Sequence, residues 1–500
     1  MNAAVFAGGL AAVLALLWPT LDQPPVWDTS TGLFPAALTL AGNGFDLGHL
    51  LAQPGWAHGG PNIHVFSSVT WLTALVLWAL PEREAWLPLL HLLHFAATAG
   101  TLLAVFRLGR VLVGVPLALA GAFVLLLWPL FQVQAGYLYT EMPLALCTAW
   151  AVHDHVFRRH ARAALWSALA CSVKEAGLVV PVALVAAVLL EGGPPARQAR
   201  RVAAYALPAA AFLALHLGIA IPVEEVSGVR PLAYADQLRD VARKLAMLPD
   251  LVAIGAVFAG VALAGSAAAF RTLRGDVDDA AARTRALALL VAGAFAGFYL
   301  LVPLTAVELY VLPRYYVQLL PLVVLVLLDA ACRAGGRRAA AALALVLALF
   351  FVGNRRGELF GLYPPVPGNE FSLAERSLEY RDLLAAQRDL LAAAAELPAS
   401  LPVYYGLPEH FLFAWPRMGY ADGPPALGHC EWLERHERRP VLDAYPERFA
   451  ILYNFVGYGG VRFQALLRQA RADPGRRVTA RVFERGRYRT VLFLVEPART

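Results

Sequence analysis

Charge is scarce in this 500-residue chain. Only 16% of its residues are Asp, Glu, Lys or Arg, while 59% are hydrophobic. Soluble domains carry about 25% charged and 45–50% apolar residues. The shortage excludes a disordered chain, which needs high charge and low hydrophobicity, and a soluble nucleic-acid binder, which needs a basic face. Cysteine is scarce as well. Four residues (Cys147, Cys171, Cys332 and Cys430) exclude a disulfide-stapled scaffold. The first three sit in or beside apolar runs and read as buried apolar side chains. The chain also lacks a Walker loop and a GxGxxG ahead of a helix, so a cytosolic nucleotide site has no support. Lysine is nearly missing: Lys174 and Lys244 are the two lysines among 42 basic residues.

Apolar runs of roughly 16–20 residues take the place of what is missing. They recur through the first 353 residues, near 3–18, 86–106, 111–127, 141–157, 163–173, 177–190, 203–221, 250–270, 286–304, 315–331 and 339–353. A crossing helix needs about 20 residues, so an α-helical polytopic membrane protein with about eleven spans is expected. The first run has neither a basic leader nor a small-residue cleavage site, and is read as a span. Run 65–80 holds four Ser or Thr. As a helix it would rise about 24 Å, short of the roughly 30 Å hydrocarbon core, and is expected to lie on the membrane surface.

Charge placement then sets the orientation. On this arrangement one face receives fifteen arginines: 107, 110, 158, 159, 162, 197, 200, 201, 271, 274, 283, 285, 333, 337 and 338. The other receives seven basic residues: Arg83, Lys174, Arg230, Arg239, Arg243, Lys244 and Arg314. The richer face is cytoplasmic by the positive-inside rule. A twelve-span arrangement fits the same count, but it places loop 19–64, which has no Lys or Arg, in the cytoplasm. Eleven spans in the inner or plasma membrane, with loop 19–64 and the C-terminal tail outside, are therefore expected.

The tail, 354–500, reads as a soluble α/β domain. Residues 372–397 have amphipathic helical spacing. Strands are expected at 401–405, 449–455, 478–483 and 488–495, the last two flanking the hairpin signal Glu484-Arg485-Gly486-Arg487.

Several side chains could carry chemistry. Loop 19–64 contains Asp22, Asp28 and Asp46. Asp28, between Trp27 and a helix-like stretch, reads either as a helix N-cap or as a base just outside the bilayer. Glu141, at the outer mouth of the fourth run, reads as a first-turn acid complementing the helix dipole or as a site carboxylate. Lys174 and Glu175 interrupt an apolar helix pair at the same level, as a self-neutralising pair or a site. Arg314, beside Tyr315 and Tyr316, either snorkels to the interface or binds phosphate bidentately. His91 and His94 lack a third ligand and read as interface histidines, while His58 and His64 are expected to line the cleft rather than bind metal. No metal or other cofactor is called for, though a divalent metal is compatible. Asp28, Glu141, Lys174, Glu175 and Arg314 all fall at one membrane face. Acids for proton transfer and cations for a phosphate in one cavity point to group transfer from a phosphorylated carrier.

In order and spacing, these pieces resemble the GT-C glycosyltransferases, in the protein O-mannosyltransferase and aminoarabinose-transferase branch. The resemblance covers roughly residues 1–353. It rests on Trp27-Asp28 in the first outer loop, the GGPNIH turn at 59–64, YTEMPLAL at 139–146, SVKEAGLVVP at 172–181 and LPRYYVQLLP at 312–321. The resemblance implies a catalytic module at 1–353, with Asp28 as catalytic base, Glu141 as second-loop acid and 65–80 as surface helix. Lys174 and Arg314 are then expected to hold the donor phosphate, with Glu175, His64, Tyr139 and Tyr315 lining the cleft. The expected activity is inverting transfer of a sugar from a polyprenyl-phosphate carrier to a lipid, glycan or protein acceptor on the extracytoplasmic face. A transporter or flippase of lipid-linked sugars and a non-catalytic scaffold are the competing readings. A transporter would favour inverted repeats, and none is evident in the sequence.

Overall fold

The computed structural model describes residues 1–26, 29–51, 67–219, 279–301, 313–353, 378, 380–430, 441–454, 460–486 and 488–498. The N-terminal part is helical: α1 (Asn2–Leu17), α2 (Phe34–Gly42), α3 (Leu47–Leu51), α4 (Ser68–Ala79), α5 (Arg83–Leu112), α6 (Val115–Leu127) and α7 (Pro129–Gly136). It continues with α8 (Glu141–Val156), α9 (His160–Val173), α10 (Val179–Glu191), α11 (Pro195–Ile219), α12 (Ala280–Leu301) and α13 (Leu320–Gly353). Each expected apolar run coincides with helix to within a few residues, except 250–270, which lies outside the described residues.

The count of crossings is a different matter. By length and composition, three stretches among the described residues can cross a membrane alone: Asn2–Thr20, Arg83–Leu112 and Tyr316–Gly353. Helices α6 and α7, bent by 66° at their junction, make a fourth if read as one span. Helices α8, α9 and α10 have 16, 14 and 13 residues and rise about 24, 21 and 20 Å. The expected eleven therefore does not follow from helix length. One long helix is in fact two. α13 breaks at Gly335 and Gly336, and Gly336 has φ +73°, a region favourable only to glycine. Its halves match the separate runs 315–331 and 339–353.

Large side chains are exposed along several helices, including Leu119 and Phe123 on α6, Val182 and Leu189 on α10, and Leu345 and Leu349 on α13. Such apolar stripes belong against lipid. Helix α4 has two apolar faces. Val69, Ala74 and Leu77 are buried against its neighbours, whereas Leu72, Leu75 and Trp78 are exposed. Its 12 residues reach only about 18 Å, too short to cross.

Three carboxylates gather the arginine-rich end. Asp154 sits with Arg159 and Arg162, and Glu191 with His155 and Arg201. Asp329 accepts from Arg285 at 2.6 and 3.0 Å and from Arg333 at 3.0 Å, joining α12 to α13.

The C-terminal part is α/β. Helix α14 (Tyr380–Ala395) packs on a five-stranded sheet of order β2-β1-β3-β5-β4. The strands are β1 (Val403–Tyr405), β2 (Gly428–Cys430), β3 (Phe449–Asn454), β4 (Arg476–Arg485) and β5 (Tyr488–Pro497). β1 runs parallel to β2 and β3, and β5 antiparallel to β3 and β4. The four expected strands are present, and Gly486 turns the β4–β5 hairpin at φ +55°. Strand β2, helix α15 (Leu407–Ala414) and helix α16 (Gly460–Ala472) were not expected. The first two are three and eight residues long, too short to show a period.

Candidate functional site

Three separate breaks in helical structure bring one cluster together. The first is the turn before α8, where Tyr137–Thr140 is buried and Glu141 opens the helix. Thr140 Oγ1 donates to Glu141 Oε2 at 3.1 Å, and the first-turn carboxylate complements the helix dipole. The second break ends α9. Lys174 is extended (φ −162°, ψ 151°) and separates α9 from the 3₁₀ turn Glu175–Leu178. Gly177 donates to the Lys174 carbonyl at 2.7 Å, and a Cβ there would collide with the Ala170 carbonyl. The third is the 3₁₀ segment Pro313–Leu319, which lies against α8 and carries Arg314.

Glu141 is the hub. Lys174 Nζ donates to its Oε1 at 2.7 Å, and Arg314 Nε lies 3.8 Å from the same oxygen. Both cations stand over one ring face region, each 5.4 Å from the Tyr139 centroid. Glu141 and Arg314 are 1% and 2% exposed, so the group is held away from water. Two cations on one carboxylate leave a net positive charge, the electrostatic setting for an anion. Glu175 opens the neighbouring 3₁₀ turn and is half-buried.

The expected members Asp28 and His64 lie outside the described residues, as does His58, and of Tyr315 only the backbone is described. The flanks of Asp28 are described. Gln23 through Val26 are buried, and Thr29 donates back to the Val26 carbonyl at 3.1 Å. Of the other two acids in that loop, Asp46 accepts from the His49 amide at 3.1 Å, and the Asp22 carbonyl accepts from Arg83 at 3.3 Å.

The two histidines read as interface residues are buried instead, and each supports a site segment. His91 Nε2 donates to the Gln23 carbonyl at 2.9 Å, and His94 Nε2 to the Tyr139 carbonyl at 2.8 Å. Their i, i+3 spacing signalled one helix face but not what it supports. Among the described residues no group of three His, Cys, Asp or Glu side chains is placed to hold a metal.

Helix α4 is tied to the same region. Ser67 Oγ donates to the Val173 carbonyl at 2.7 Å, one residue from Lys174, and Ser172 Oγ donates to Ser68 Oγ at 3.1 Å. The C-terminal domain reaches in from the other side. Tyr380 Oη donates to Gln23 Oε1 at 2.9 Å, Tyr420 Oη to the Pro25 carbonyl at 3.0 Å, and Arg417 to the Leu77 and Pro81 carbonyls at 3.1 and 3.0 Å. Burial pushes the Tyr380 phenol up to about 12, so it remains a donor at any physiological pH.

No protein-family model matches the chain, and no curated protein matches it. Among solved structures, the chain is similar to ArnT from Cupriavidus metallidurans bound to undecaprenyl phosphate. Identity is 16% and the TM-score 0.49, over 98% of this chain and 97% of that one. The apo form of that protein gives 15% and 0.48, over 99% and 98%. The archaeal oligosaccharyltransferase AglB from Archaeoglobus fulgidus, in complex with an inhibitory peptide and a dolichol-phosphate, gives 12% and 0.40, over 84% of this chain and 63% of that one.

Proposed function

We propose that this chain is an integral membrane glycosyltransferase moving a sugar from a polyprenyl-phosphate carrier to an acceptor on the extracytoplasmic face. The observation that carries the reading is the buried Glu141–Lys174–Arg314 cluster. It sits at the end of α8 opposite the arginine-rich end, the end that charge asymmetry assigns to the outside.

The roles follow from charge. Lys174 and Arg314 hold the carrier phosphate, Arg314 through its fork and Lys174 as a point charge. Glu141, placed between the two cations, orients them. The acceptor hydroxyl attacks the anomeric carbon from the face opposite the phosphate. The C–O bond to phosphate breaks, its electron pair leaves with the carrier, and the hydroxyl proton passes to Asp28. The product is inverted at the anomeric carbon.

Full-length protein incubated with labelled polyprenyl-phosphate sugars and a membrane lipid extract tests this. Transfer is expected with wild type. Asp28→Asn, which keeps any capping ability, is expected to lose about 10²–10⁴ in rate while eluting as a folded, monodisperse species. Failure of wild type to transfer from any carrier sugar would sink the reading, and turnover of Asp28→Asn within a few-fold of wild type would remove Asp28 as base.

A further inference from the structure

We propose that the ends of α5, α8 and α9 opposite the Glu141 cluster bind the headgroup of an anionic phospholipid, with an acyl chain lying along a small apolar face beside them. The site is separate from the proposed reaction centre. Asp154 lies 13 residues beyond Glu141 on α8, about 20 Å along the axis.

Charge is out of balance there. Asp154 is fully buried, hydrogen-bonded to His153 Nδ1 at 3.0 Å and ion-paired with Arg162 at 3.1 Å and Arg159 at 3.8 Å. Arg107 lies within electrostatic reach of Asp154, Arg110, Arg159 and Arg162, so four guanidinium groups and one carboxylate share this end. Arg107 sits 5.4 Å over the Trp150 ring, and its buried Nε has no partner among the described residues. Nor does the Nε2 of His153, which is 0% exposed. Repulsion among these clustered arginines, two of them exposed and two half-buried, is relieved by an anion with several acceptor oxygens, as a phosphodiester supplies.

The surroundings identify that anion as a lipid. Ala104, Ala149 and Trp150 form a buried apolar cluster separate from the main core, and Leu103, Leu146 and Trp166, themselves only partly buried, pack against it. Trp166 stacks on Trp150 at 6.0 Å, and Leu165 and Leu169 continue the exposed apolar surface along α9. Indole rings beside arginines at a helix end form an interfacial pattern, and basic pockets between spans hold anionic headgroups. A free phosphate would use the arginines and leave the apolar face bare.

Full-length protein in mild detergent is offered phosphatidylglycerol, phosphatidylcholine or inorganic phosphate, and bound lipid is read by native mass spectrometry and melting temperature. Phosphatidylglycerol is expected to be retained and stabilising, phosphatidylcholine to be washed off, and millimolar phosphate to be without effect. Arg110→Gln with Arg159→Gln leaves Arg162 on Asp154 and is expected to lower retention roughly 10- to 30-fold, since each basic group near a membrane surface contributes about fivefold. The matching pair of lysine substitutions should restore most of it. Equal retention of both lipids, equal stabilisation by phosphate, or a glutamine pair that binds like wild type would each overturn the proposal. Should the glutamine pair fail to fold, a photoactivatable phosphatidylglycerol on wild type decides. Labelling of the Leu146–Trp166 stretch supports the site, and labelling elsewhere rejects it.

Discussion

Glu141 supplies one buried carboxylate to two cations, and that ratio makes it the most informative residue to change. Removing one partner of a buried ion pair costs about 3–5 kcal/mol, because the other charge is left uncompensated. Glu141→Gln should therefore melt earlier than wild type and gain more thermal stabilisation from added polyprenyl phosphate, whose charge replaces the lost carboxylate. Equal stabilisation of the two proteins would remove the phosphate from this cluster. Arg314→Lys should keep the fold but weaken carrier affinity, since an ammonium cannot reproduce a planar fork. In the C-terminal domain Glu409 is the titrating counterpart. It is buried on α15, accepts from Asn454 Nδ2 at 3.2 Å, and desolvation raises its carboxyl to about 7. The folded form thus binds the proton more tightly than the unfolded chain, so this residue's stabilisation is full below about 4.5 and is lost as pH rises to about 7. Melting of wild type relative to Glu409→Gln should fall between pH 5 and 7.5. A difference that stays constant with pH would show that Glu409 does not titrate there.

Short and broken elements build the site, and this is also where reading the sequence had its limits. Long apolar runs gave α1, α5 and both halves of α13 plainly, because a bilayer demands length and hydrophobicity together. The residues Glu141, Lys174 and Arg314 stood out because a charge entering an apolar run is costly. Their meeting on one carboxylate was not legible, since 173 residues separate the outer two and no period links them. The supporting roles of His91, His94, Ser67 and Ser172 were equally hidden, because each is a bond to the backbone or a neighbouring hydroxyl rather than a charge pattern. The extended break at Lys174 depends on Gly177, whose position against the Ala170 carbonyl leaves no room for a methyl group. Gly177→Ala must push α9 away from the 3₁₀ turn, and with it Lys174. Carrier affinity is expected to drop about 10-fold or more, with overall helicity by circular dichroism unchanged. Wild-type affinity in Gly177→Ala would mean that the break is not what aims Lys174.

At the scale of the whole molecule, the C-terminal domain is a clamp on the first loop. Tyr380 and Tyr420 both end on residues 23–25, just before Trp27 and Asp28, and Arg417 holds the Pro81 carbonyl just beyond α4 and that of Leu77 in its last turn, a group that a helix end otherwise leaves unsatisfied. Gly419, at φ +83°, lies against the guanidinium end of Arg83, so the two surfaces meet there as well. Up to 395 residues separate these partners, which is why soluble-type alternation in the tail announced a domain but not its target. The reaction proposed here needs the first loop fixed for Asp28, whereas the carrier phosphate is held by side chains of α8, the Lys174 break and the Arg314 segment. Replacing Tyr380 and Tyr420 together by Phe keeps the rings, including the edge contact of Tyr380 with Tyr137 at 4.7 Å, and strips both hydroxyls. Each buried acceptor left unsatisfied costs about 1–3 kcal/mol, enough to loosen residues 21–26 without unfolding the helices. Hydrogen exchange in that stretch should rise, and turnover should fall about 10-fold at saturating carrier, with the KM for the carrier unchanged. A rise in KM without loss of turnover would place the clamp's effect on donor binding instead, and would separate it from the loop that bears Asp28.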